Sequence, residues 1–105
     1  MMQEGAEAVF STPSPFPMDL SDALCGAAKE HDEIRRLWLR QMEQNGKTSF
    51  LAVIDGDNIK NSVINDLGTA IKPFLKKYGL ELNVMFFASE LGKKAAENVL
   101  PVYTI

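Results

Sequence analysis

The run Thr48-Ser-Phe-Leu-Ala-Val-Ile-Asp55 constrains this chain more than any other segment. Its apolar residues are continuous rather than alternating, and the run has the length of a strand. Such a run belongs to a strand covered on both faces, so a sheet should lie at the centre of the fold. A second strand is expected over Leu80 to Phe87, where Leu80, Leu82, Val84 and Phe86 alternate with Glu81, Asn83, Met85 and Phe87. Between them a long helix is predicted from about Ile59 to Lys77. Val63, Leu67, Ile71 and Phe74 recur at helical spacing, with Ile64 and Leu75 widening the stripe. Pro73 removes one intrahelical bond and is expected to kink or end this helix near Ile71. The connection is long enough for a parallel, right-handed crossover, while antiparallel pairing stays open.

Two helices are expected ahead of this unit. The first starts with Asp19 or its neighbour as N-cap and runs to about Glu30, with Leu20, Ala23, Leu24, Ala27 and Ala28 on one stripe. The second covers about Asp32 to Gln44, because Ile34, Leu37, Trp38, Gln41 and Met42 repeat the spacing, and Asn45-Gly46 tolerates the left-handed end. Ser89 reads as the N-cap of a final helix to about Val99, with Leu91, Ala95 and Val99 inward. Pro101 breaks it, and Val102 to Ile105 forms a short last strand or an extended tail. The fold class is therefore α/β, with α+β left open. It has two N-terminal helices, then strand, helix, strand and helix around a two- or three-stranded sheet, whose open edges something must cover. Residues 1–17 read as a flexible lead-in, made extended by Pro13, Pro15 and Pro17, with Phe10 and Phe16 as its anchors. Residues 18–105 read as a single domain.

Composition supports one globular unit and excludes several function classes. A chain of 105 residues with 46% hydrophobic and 24% charged residues is ordinary globular material. The single Cys25 rules out an internal disulfide. No apolar run approaches the roughly 20 residues of a membrane helix. Glu4 and Glu7 stand where a signal peptide would carry basic residues, so a cytoplasmic location is expected. A net charge of −3 and a pI near 5.1 argue against a nucleic-acid partner.

Certain stretches carry a family resemblance. Pro15-Phe-Pro-Met-Asp-Leu-Ser-Asp-Ala-Leu24, followed by His31-Asp-Glu-Ile-Arg-Arg-Leu-Trp-Leu39, resembles the opening of the SseB (enhanced serine sensitivity) C-terminal domain. Similar too are Phe50-Leu-Ala-Val-Ile54, the Asp55-Gly56-Asp57 turn, Ile71-Lys-Pro-Phe74 and Leu100-Pro-Val-Tyr103. The resemblance spans roughly Pro13 to Tyr103. It implies a bacterial cytoplasmic protein of undefined biochemical role, with no catalytic residues to transfer. Members commonly carry a second, N-terminal domain that is not seen in this sequence, and an aromatic residue where this chain has Val102.

The candidate chemistry is sparse. Asp55-Gly56-Asp57-Asn58 ends the buried strand, where the carboxylates of Asp55 and Asp57 are placed to meet a ligand or metal. The competing reading is a turn, with Gly56 supplying backbone freedom and Asp57 or Asn58 capping the helix. An EF-hand does not fit, because Ile59, Lys60 and Asp66 stand where a ligand, glycine and glutamate belong. Cys25 and His31 point apart on a helix, leaving a small core thiol and a helix-end or surface imidazole. Arg35, Arg36, Arg40, Lys72, Lys76 and Lys77, like Lys93 and Lys94, read as solvated helix faces. Leu37, Trp38 and Leu39 cannot all point inward from one helix. Trp38, Leu39, Met85 and Phe87 are therefore the candidate interaction surface. No catalytic residue, cofactor site or metal site is identified. The expectation is a non-enzymatic interaction or regulatory domain, acting on a protein partner or by self-association through an open sheet edge or this apolar margin. The alternative is a small-ligand or metal-dependent activity at 55–58.

Overall fold

A computed structural model of the protein describes residues 8–105. The readings of residues 1–7, as lead-in and as an unsuitable signal peptide, lie outside the described residues. The element order is Val9–Ser11 (β1), Met18–Ala28 (α1), Ile34–Gln44 (β2), Lys47–Gly56 (β3), Asn61–Tyr78 (α2), Leu82–Phe86 (β4), Glu90–Ala96 (α3) and Tyr103–Thr104 (β5). The sheet is five-stranded and mixed, in the order β1-β2-β3-β4, with β5 also paired to β2.

This overturns the expected pair of N-terminal helices and the expected two- or three-stranded sheet. The chain starts its described structure with a strand, and residues 34–44 form the longest strand of the sheet. The error has a physical source. A register shift between Ile34 and Arg36 inserts one extra residue, so Ile34 and Leu37 reach the same face three positions apart. Trp38 and Met42, four apart, fit a period of 2 as well as one of 3.6. Leu37 and Leu39 meet the helices on one face, while Trp38, Arg40 and Met42 lie on the other. A strand buried on both faces shows no alternation, and its residues imitated a helical stripe.

Asn45-Gly46 is correspondingly a hairpin turn and not a helix end. Both residues have positive φ, 55° and 76°, as a two-residue primed turn requires. The turn pairs Gln44 with Lys47 and runs the antiparallel ladder back to Ile34 opposite Gly56. Residues 9–11, read as lead-in, supply an edge strand against Gln41–Glu43. Tyr103 and Thr104 form the short last strand on Leu37 and Arg36.

The strand–helix–strand unit stands as expected, and its pairing is parallel: Phe50 lies beside Leu82 and Ile54 beside Phe86. Pro73 neither ends nor interrupts α2. Pro73 and Thr69, whose carbonyl loses its intrahelical partner, are both exposed, so the lost bond falls on the solvent side of the helix. Two cores result. Leu20, Leu24 and Ala28 of α1 and Val63, Leu67 and Ile71 of α2 cover Leu37, Leu39, Phe50, Ala52 and Ile54. On the other face Ala95 and Ala96 of α3, with Ala8, pack on Trp38, Met42, Leu51 and Val53. Ser89 caps α3 as expected, accepting from Gly92 N at 3.0 Å. Leu91, expected inward, is 47% exposed, because the inner face is Gly92, Ala95 and Ala96.

Asp19 does not cap α1, whose N-cap is Pro17, but sits in its first turn and ties the two large helices together. Its carboxylate accepts from Lys77 Nζ at 2.6 Å and Tyr78 Oη at 2.6 Å, both at the end of α2. These bonds hold its pKa down from 3.8 to about 2 and raise those of Lys77 and Tyr78.

Two outcomes follow from this packing. Leu39→Ala should cost about 2–5 kcal/mol of stability, read by urea unfolding, because the side chain fills the centre of the helix-covered face. Asp19 titrates lower in the folded than in the unfolded chain, so its contribution is complete above about pH 4 and lost as the pH falls toward about 2. Asp19→Asn should be less stable than the parent protein at neutral pH and should lose less stability over that acid interval, a comparison made by denaturation at each pH.

Candidate functional site

The tetrapeptide Asp55-Gly56-Asp57-Asn58 lies where β3 and β4, running in parallel, both end. The carboxyl edge of parallel strands is where open α/β sheets receive ligands. A depression of about 290 Å³ opens there, with Asp55, Gly56 and Asn58 on one side and Phe86 and Ala88 on the other. Asp57 is not among its lining residues.

Both carboxylates are already engaged. Asp55 accepts from Arg36 Nε at 2.8 Å, and Asp57 pairs with Arg35. The bulge in β2 brings two adjacent arginines to two carboxylates that sit two residues apart. Arg36 is clamped further: its guanidinium carbon lies 4.9 Å from the Trp38 ring centroid and 4.8 Å from that of Phe87. Those two rings are themselves stacked at 5.0 Å. Gly56 has a different role from the one expected. Its φ is not positive, but a Cβ there would lie 2.0 Å from the Glu33 carbonyl oxygen, so close approach of the turn that leads into β2 excludes any side chain. Neither Asp57 nor Asn58 caps α2; the N-cap is Lys60, without a side-chain bond, while Asn58 takes φ 55° in the turn. No group of three or more potential metal-ligating residues occurs among the described residues.

The other singled-out residues separate. Cys25 Sγ donates to Val102 O at 3.3 Å, and burial raises its thiol pKa, which leaves it in the unreactive form. His31 Nε2 lies 3.1 Å from Asp66 Oδ2 and so joins the α1–β2 connection to α2. Arg36 and Arg40 are not on a helix: they share a sheet face with Trp38, where Arg36 is partly exposed and Arg40 is only 7% exposed.

The expected interaction surface divides in the same way. Leu39 is 2% exposed and Trp38 3%, the latter with its Nε1 donating to Val99 O at 2.8 Å. Both are core residues on opposite faces of β2. Met85 and Phe87 are partly buried against the second core. In their place, the exposed feature is the edge of β4 itself. Phe50 N donates to Glu81 O, and Phe87 N donates to Ile54 O, both at 2.8 Å. Odd-numbered residues therefore turn their peptide groups to β3, and Leu82, Val84 and Phe86 turn theirs outward. The Phe86 carbonyl is met by Ser89 N and Oγ, and no strand pairs with this edge among the described residues. Beside it a groove of about 410 Å³ runs between β4 and α2, with Ile64, Leu75, Leu82 and Val84 as its apolar lining and Asn65, Thr69 and Lys72 as its polar lining.

The model of the SseB protein C-terminal domain matches residues 2–104. The chain belongs to the SseB C-terminal domain family. No curated protein and no solved structure gives a significant match. The family match begins ahead of β1, so the segment preceding α1 is part of the shared unit. No helix among the described residues is long and apolar enough to cross a membrane.

The loop at 55–58 yields a direct test. An added magnesium or calcium ion would have to displace two guanidinium groups, one of them lying on Trp38. Trp38 is the sole tryptophan, and its emission should stay unchanged through millimolar ion. A saturable change would instead establish a cation site at Asp55 and Asp57.

Proposed function

We propose that this SseB-family domain is a non-enzymatic protein-interaction or regulatory module that docks its partner by adding a strand to β4. The observation that carries this reading is the unpaired edge of Leu82–Phe86. Natural edges are blunted by lysine, proline, bulges or covering elements. These five residues contain no charge, no proline and no bulge. Phe86 at their end is 42% exposed, and the apolar part of the groove, Ile64, Leu75, Leu82 and Val84, lies alongside for the partner's inward side chains. Main-chain bonds then supply affinity, and the groove supplies selectivity. The strand that docks belongs to another protein or to a second copy of the chain. The family resemblance supports a bacterial, cytoplasmic setting for this role.

A second reading, a small ligand at the end of β3 and β4, is favoured by the depression beside Asp55. It has less support, since the carboxylates that would bind are held by Arg35 and Arg36.

Amide hydrogen exchange decides the main reading. In a complex, or at rising protein concentration when the partner is a second copy, protection should appear at the amides of Leu82, Val84 and Phe86. Phe86→Lys should abolish that protection and reduce the sedimenting mass to that of the free chain, with the urea midpoint little changed. Protection confined to other elements would refute edge pairing.

A further inference from the structure

Arg40 is a buried charge that the described residues leave without an opposite charge. Three arginines lie on β2, and two of them, Arg35 and Arg36, are paired with Asp57 and Asp55. Arg40 is the most deeply placed, yet no described carboxylate lies within ion-pairing distance of it. Its Nε donates to Ala95 O at 2.9 Å and its Nη1 to Thr12 Oγ1, both neutral acceptors. A guanidinium has five donors, and Nη2 finds no acceptor among the described residues. Burial pulls the Arg40 pKa down, with no neighbouring charge acting against it. Buried cations are ordinarily paired, because removing one from water is costly unless an opposite charge compensates.

The unpaired side of this cation is accessible. Arg40 lines an open depression of about 420 Å³ at the β1 edge of the sheet, far in the strand order from β4. Lys94 of α3 brings a second positive charge to its wall, and Val9 and Phe10 supply an apolar side. Glu97 also lines it but forms no ion pair with either cation. The three ionised groups sum to one positive charge, which a monoanion neutralises. A guanidinium edge matches the paired oxygens of a carboxylate or phosphate.

We propose that this depression binds a small oxyanion, with its oxygens on the free edge of the Arg40 guanidinium and Lys94 as the second charge. The site is separate from the β4 edge and does not depend on the role proposed for it. The apolar wall favours a short organic carboxylate over inorganic phosphate.

The test is an NMR titration of the full chain with propionate, acetate and phosphate, against sodium chloride at matched ionic strength. Saturable shifts are expected at the Arg40 Nε–H and at the amides of Val9, Phe10 and Lys94, with propionate binding more tightly than acetate. Tighter binding of phosphate would support the site and assign it to phosphate-bearing ligands. Lys94→Ala, an exposed change, should weaken binding about tenfold, as expected for one charge-assisted contact. Arg40→Met should abolish it. Should Arg40→Met not fold, the Arg40 Nε–H signal of the unaltered protein decides alone. The proposal is overturned if no oxyanion moves that signal beyond the chloride control, or if both variants bind as the parent does.

Discussion

The β2–β3 hairpin is the constraint on which the remaining structure rests. Its register, set at Asn45-Gly46, runs in step from Gln44 opposite Lys47 to Arg36 opposite Asp55. Strand side chains alternate, so a slip of one residue would exchange the two faces of β2. Leu37 and Leu39 would then leave the core under α1 and α2, and Trp38, Arg40 and Met42 would take their places. Both faces are covered, which makes that error costly on each side at once. Turn chemistry and two-sided burial therefore specify the same alignment.

The hairpin also arranges the polar chemistry. One extra residue near Arg35 sends Arg36 to Asp55 near the end of β3 and Arg35 to Asp57 on its exit loop, while Arg40 stays on the buried face. The Asp55–Arg36–Trp38–Phe87 stack links that loop to the end of β4 through a charge lying on two rings. Gly56 permits this closeness, because any side chain there would meet the Glu33 carbonyl. The most conspicuous acidic cluster in the sequence is thus held in place by cations from the neighbouring strand, which weakens its claim as a ligand site.

The two sides of the sheet are treated differently. Beyond β2, the short strands β1 and β5 divide the edge between them, pairing at residues 41–43 and 36–37. Beyond β3, β4 ends the sheet with outward peptide groups and no charged residue of its own. The asymmetry is one of length: strands of three and two residues lie along one side, and the five residues of β4 bound the other, which is the edge proposed for strand addition.

Much of this was legible in the residues. The apolar run 48–55 announced a central covered strand, the 63–67–71 stripe announced α2, alternation marked β4, and Ser89 marked the α3 cap, all through local periodicity and capping chemistry. The family followed from motif order along most of the chain. What the sequence alone could not assign was β2. Burial on both faces erases alternation, and one bulge reproduces a helical interval, so only pairing with β3 distinguishes the two periods. The same pairing decided that Trp38 and Leu39 are core, that Asp55 and Asp57 are engaged, and that Arg40 is buried beside an open depression. Those properties belong to neighbours distant along the chain, and local patterning carries no information about them.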